Sequence, residues 1–212
     1  MNGPPPEDPE AIGNLGRGDY AFGAAALPAF ARDFPYAALL SELGLVGGDD
    51  ELAATAAATE LMALDCAACI KAFQAQRIVF LGAYSAARYV MISSKPVATL
   101  EGFKGLNVLT PGSAWDRLAA GLGGVAADAE GDVGDLFAKG GIAAAIATPM
   151  ELADPDVWAH ARHLLAAPFG AYRGAAAFLS SAGYWRGLEQ AGRRAVLNAV
   201  ADGLVGVVWG YQ

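Results

Sequence analysis

From Thr99 to Val108 the chain reads Thr-Leu-Glu-Gly-Phe-Lys-Gly-Leu-Asn-Val. This is a short helix that ends at a Lys-Gly turn, with a buried strand starting at once. The same alternation recurs along the chain. Arg77–Gly82, Tyr89–Ser93 and Ile142–Ala147 are short runs of apolar and small residues between helix stops and read as strands. Further strands are expected at 19–23, 161–167 and 171–179. Helices are expected from Asp49-Asp50-Glu51 to about Leu64, where acids suit the first turn, and over Cys66–Ala75. Others are expected at Ser113–Leu122 with Ser113 as cap, Val133–Lys139 stopped by Gly140-Gly141, Gly183–Leu188 and Gln190–Val205. Residues 27–46 read as a loop with one or two helical turns, broken by Pro28 and Pro35. Strands alternating with helices imply an α/β fold with a partly parallel sheet. In such sheets ligands sit beyond the carboxyl ends of strands, at a switch point or domain cleft.

The 212 residues are enough to bury a real core, and 55% hydrophobic against 17% charged residues excludes disorder for most of the chain. The net charge of −8 argues against nucleic acid and against anionic membrane surfaces, which need a basic patch. A local positive pocket for an anionic ligand is compatible with it. No apolar run reaches the roughly 18 residues of a transmembrane helix. The start, Met1 to Pro9, is acidic and proline-rich, the reverse of a signal peptide, and on that ground the chain is expected in the cytoplasm. Residues 1–10 are expected to be a flexible tail.

Cys66 and Cys69 form a CxxC, which can be a redox pair, half a zinc site or a disulfide. No second CxxC completes four sulfur ligands, although His160 and His163 offer two nitrogens. Within an alanine-rich helical stretch, an oxidised or simply buried pair is the plainer reading, and no catalytic role is expected. No enzyme signature survives inspection. Ser180-Ser181 lacks a nucleophile-elbow context, Gly121-Leu122-Gly123-Gly124 follows a helix rather than a strand, and no phosphate-binding Gly-Lys-Ser/Thr occurs. The histidines read as solvated residues of a surface turn after Pro155. Arg17-Gly18-Asp19 spells an adhesion tripeptide but is read as a strand entry.

The segment ending at Val108 resembles the "DLKGLKIR" element of the solute-binding proteins of TRAP transporters, the extracytoplasmic receptors often called dicarboxylate-binding proteins. Other pieces in the same order are similar to that family. Arg17 to Phe22 resembles its "G-x-D-x-x" strand, and Phe34-Pro35 its "fP" loop. Cys66–Cys69 resembles a "CPEC" element of one branch. Ser94-Lys95-Pro96-Val97 resembles "KPI", Leu122-Gly123-Gly124 "LGA", and Leu136 to Ile142 "ALQ-GxVDG". Tyr184 to Leu188 with Arg193-Arg194 resembles "W-x-x-L…R". The resemblance runs from about Ala11 to Gly206.

The resemblance implies a clamshell of the type II periplasmic-binding-protein kind, with mixed, mostly parallel sheets, incomplete at both ends. It implies lobes over 11–93 and 94–188 and a long hinge helix over 189–212. It further implies a periplasmic receptor, not an enzyme, that needs no cofactor or metal. Such a receptor captures a small organic acid, or a partly apolar solute, and hands it to membrane permease subunits. The family's ligand-clamping arginine falls at Leu109, and the acid of "GxVDG" at Ala144. Thr148 remains as a hydrogen-bond donor, Arg88 and Tyr89 lie at the other ligand-facing strand, and Trp115 and Tyr172 offer an apolar wall. An arginine suits a carboxylate because its planar fork donates two parallel hydrogen bonds, and Leu109 donates none. The alternative is therefore a family-derived domain that has lost ligand binding and serves a structural or interaction role. A small-molecule enzyme is a third, weaker reading.

Overall fold

The structure is a computed structural model and describes residues 9–45, 50–85, 87–129, 131–174 and 176–210. The tail expected over 1–10 lies outside the described residues up to residue 8, as does Asp49. Eight strands occur among the described residues: β1 (Phe22–Ala26), β2 (Ile78–Tyr84), β3 (Val90–Ser93), β4 (Asn107–Leu109), β5 (Val125–Ala126), β6 (Ala144–Ala147), β7 (His163–Leu165) and β8 (Ala176–Ser181). They form two sheets, β1-β8-β2 and β5-β4-β6-β3-β7. The expected strands at 77–82, 89–93, 105–110 and 142–147 all exist, but the first does not share a sheet with the others. β2 pairs with β8, whereas β3, β4 and β6 are neighbours.

Both sheets hold antiparallel strands, and the second also holds parallel ones. β4 runs parallel to β5 and β6. β8 runs against β1 and β2, and β3 against β6 and β7. The first sheet is therefore antiparallel and the second mixed, and antiparallel pairing outweighs parallel, because β8 and β3 each run against both of their neighbours. The chain divides into two compact units, Met1–Ala86 with Tyr172–Gln212, and Ala87–Ala171. These bounds differ from the expected division at 93/94 and 188/189. β3 belongs with β6 and β7, and β8 belongs with β1 and β2.

The first unit begins with the helix Ala11–Arg17, which Gly18 closes in a left-handed conformation at φ 86°. The strand expected at 19–23 forms three residues later, as β1. Asp50 caps the helix Glu51–Glu60 by accepting the Ala53 N–H at 2.8 Å. A π-turn over Leu61–Asp65 follows, and the helix Ala67–Ala75 then leaves at a 76° bend. Cys66 stands at that corner, where its sulfur accepts the Cys69 N–H at 3.0 Å. The two cysteines form a disulfide, with Cα atoms 5.2 Å apart. The pair thus stands at a helix start rather than inside a helix. Among the described residues no group of three or more His, Cys, Asp or Glu could hold a metal ion. Replacing both cysteines with serine should lower stability by about 2 kcal/mol in urea denaturation, the entropy expected of so short a loop. Loss of ligand binding in that variant would contradict the purely structural role.

Leu27, Phe34, Met62, Cys69, Phe73, Ile78 and Leu179 form the core of this unit. The helix Gln190–Gly210 runs longer than expected and lies over β2 at Gly82. A Cβ at Gly82 would stand 2.9 Å from Leu204 Cδ1. Gly16 marks a second close approach, since a Cβ there would stand 2.3 Å from the Gln76 carbonyl oxygen. That oxygen belongs to backbone and cannot swing away. Gly16→Ala should cost about 1–3 kcal/mol and lower the thermal midpoint by several degrees. An unchanged midpoint would show that the two segments do not meet. Among the described residues no single helix is long and apolar enough to cross a membrane.

The second unit carries the segment from which the sequence reading started. Thr99 caps the helix Leu100–Phe103 by accepting the Gly102 N–H at 3.3 Å. Gly105 turns the chain at φ 70°, and β4 follows. Gly112, not Ser113, takes the cap position of the helix Ser113–Gly121. Asp132 caps Val133–Ala138, and Asp154 caps Pro155–His160. The surface turn expected after Pro155 is therefore a helix. His160 ends it and His163 opens β7, so the two histidines lie on different elements. The core of this unit gathers Ile92, Phe137, Ile142, Ala145, Val157 and Ala161.

Candidate ligand-binding site

The pairing of β4, β6 and β3 gathers most of the candidate residues at one edge of the second unit's sheet. Leu109 pairs with Ala145 in parallel, so β4 and β6 end on the same side, with Thr148 just after β6. Val90 pairs with Ala147 in antiparallel, so β3 begins on that side, with Arg88 and Tyr89 just before it. Leu109, Thr148, Arg88 and Tyr89 therefore share an edge formed by two strand carboxyl ends. This is where ligands of α/β sheets bind.

The side chains differ in what they offer. Arg88 is exposed, and Thr148 and Leu109 are half-buried. Thr148 stands at the cap position of the 3-10 turn Pro149–Ala153 without using its hydroxyl as a cap. Leu109 leans on the cluster of Ile92, Phe137 and Ala145. Trp115 is fully buried at 0% exposure, and its indole N–H donates to the Phe169 carbonyl at 2.6 Å. Tyr89 is buried too, stacked edge-on against Trp115 with ring centroids 5.2 Å apart. Its backbone N–H donates to the Gly170 carbonyl at 2.7 Å. Trp115, expected to wall a pocket, is thus packed inside the second unit against Tyr89. Tyr172 is half-buried and belongs to the first unit.

One polar contact at this edge is absent from the sequence reading. The Thr110 hydroxyl donates to the Asp116 carboxylate, joining the end of β4 to the first turn of the helix Ser113–Gly121. The signal was available in the Asp that follows a Pro-Gly turn by four residues. It holds the loop after β4 in place and sets a negative charge close to that strand end.

No known protein-family signature and no curated protein matches the chain. Solved structures do. One is DctP7 of Bordetella pertussis, an extracytoplasmic solute receptor binding pyroglutamic acid, at 18% identity and a TM-score of 0.66. It is matched over 93% of this chain and 63% of its own. The apo form of TeaA, the ectoine-binding protein of the TeaABC TRAP transporter, gives a TM-score of 0.74 at 14% identity, over 95% of this chain and 68% of that one. A TRAP periplasmic solute-binding protein of Sulfitobacter sp. NAS-14.1 with bound β-D-galacturonate gives 0.64 at 22% identity, over 95% and 67%. The chain has the fold of TRAP solute-binding proteins. It spans about three-fifths of the length of the three structures that bind pyroglutamate and of a fourth from Ochrobactrum anthropi.

Proposed function

We propose that this chain is the body of an extracytoplasmic solute receptor that captures a small monocarboxylic acid, or a partly apolar solute, for membrane permease subunits. The observation that carries this reading is the TRAP-type fold combined with a strand-end edge bearing Arg88, Tyr89, Leu109 and Thr148. Neighbours of this fold bind pyroglutamate and galacturonate, and each of these solutes bears one carboxyl group. Arg88 supplies a cation and Thr148 a neutral donor, which suits one carboxylate and one polar group. Leu109 contributes apolar surface where a second charge partner would be needed. A carboxylate buried without such a partner is strongly disfavoured, so dicarboxylates are disfavoured. Receptors of this fold take their solute by binding and release, so no catalytic residue is assigned.

Leu109 also favours a second reading, a domain of this descent that no longer binds solute, because it packs on the core cluster as an ordinary apolar residue. Thermal unfolding with a panel of monocarboxylates separates the two. A ligand that binds only the folded state stabilises it by RT ln(1 + [L]/Kd), about 2.7 kcal/mol at a hundredfold excess over Kd. A receptor shows a rise of several degrees for at least one solute. A flat response across the panel would support the second reading.

A further inference from the structure

The first unit carries a cavity of about 430 Å³ at the end of its sheet where β2 begins and β8 ends. Arg17, Arg77 and Arg186 line it, together with Ser181 and Tyr184. Three guanidinium groups at one cavity reverse the sign of a chain whose net charge is −8. Arg17 is held in place by Asp19 at 3.2 Å and by the Asn14 side chain. Arg77 and Arg186 form no side-chain ion pair or hydrogen bond among the described residues.

Three further features show that the cavity is built rather than incidental. Ser181 is 2% exposed, yet its hydroxyl makes no hydrogen bond among the described residues. Its Oγ lies 3.6 Å from where a Cβ on Gly18 would be and 3.7 Å from one on Gly183, and both glycines line the cavity. The hydroxyl is thus aimed at the cavity and is open to a ligand's oxygen there. Arg77 has φ 56°, the only positive φ of a non-glycine residue among those described. Such strain gathers at functional sites, and glycine would satisfy the backbone better. The bare Gly16 lets the helix Ala11–Arg17 press against Gln76, which brings Arg17 and Arg77 to the same wall.

We propose that this cavity binds a phosphate group, free or esterified. Arginine forks match the oxygens of phosphate in pairs, and three forks with a serine hydroxyl offer more donors than the two oxygens of a carboxylate accept. The cavity belongs to the first unit and the strand edge at Leu109 to the second, so the assignment stands whether or not the chain binds a carboxylate solute at that edge.

Calorimetric titration with inorganic phosphate and with methyl phosphate, against sodium chloride of equal ionic strength, tests the assignment. Arg77→Gly removes one guanidinium and suits the left-handed backbone, so the variant folds at least as well as the parent. Arg186→Gln changes an exposed side chain. The expected result is phosphate binding by the parent, weakened at least tenfold in each variant, with unchanged thermal midpoints in the absence of phosphate. Equal binding of methyl phosphate means that an esterified phosphate is admitted, whereas its exclusion means that the free anion is recognised. Binding unchanged in both variants, or heats reproduced by chloride alone, would overturn the proposal.

Discussion

Trp115→Ala will destabilise the chain by about 3–5 kcal/mol. Trp115 is the largest fully buried side chain, and it does three things at once. It fills a wholly buried space, it stacks edge-on with Tyr89, and its N–H satisfies the Phe169 carbonyl. Truncation leaves a cavity and orphans that carbonyl. Trp115→Phe keeps most of the volume and loses the hydrogen bond alone, so it should cost only about 1–3 kcal/mol. In thermal denaturation followed by circular dichroism, a chain of this size loses about 2–4 °C per kcal/mol, so the alanine variant should melt roughly 6–20 °C lower. A drop of less than about 2 °C would mean that Trp115 is not packed as described and is free to face a ligand.

The second large effect concerns Leu109. Leu109→Arg should raise affinity for carboxylate solutes by tens to about a hundredfold, since a charge-assisted hydrogen bond is worth about 1.5–3 kcal/mol. The geometry permits it. Leu109 is half-buried at the end of β4, so an arginine stem can lie on the cluster of Ile92 and Phe137 while its head reaches solvent. The loss of stability should accordingly be small. If the variant folds and binds carboxylates no better than its parent, the β4 carboxyl end does not face the solute.

Local signals in the sequence were read well and pairings at a distance were not. Asp50 announced a helix start, and Lys104-Gly105 announced β4, because caps and turns are settled by a few neighbouring residues. The partner of β2 is β8, almost a hundred residues later in the chain, and nothing near Arg77–Gly82 indicates it. That is why β2 was grouped with β3, β4 and β6, and why the expected lobe bounds differ from those of the two compact units. β5 has only two residues and no periodicity to read. Trp115 has the spacing of a helix face, but spacing alone does not say whether that face meets core or cleft. The cavity of Arg17, Arg77 and Arg186 joins three segments far apart in the chain and was invisible for the same reason. Arg88, Tyr89, Leu109 and Thr148 were singled out through the family resemblance alone, and each stands at or beside a strand end of the second unit's sheet.

The most direct test is calorimetric titration of the unmodified chain with pyroglutamate beside succinate and malate. We expect the monocarboxylate to bind and the two dicarboxylates to bind at least tenfold more weakly, because nothing at Leu109 meets a second charge. Micromolar binding of succinate or malate would contradict this account and show that another residue takes over the role that an arginine at position 109 would play.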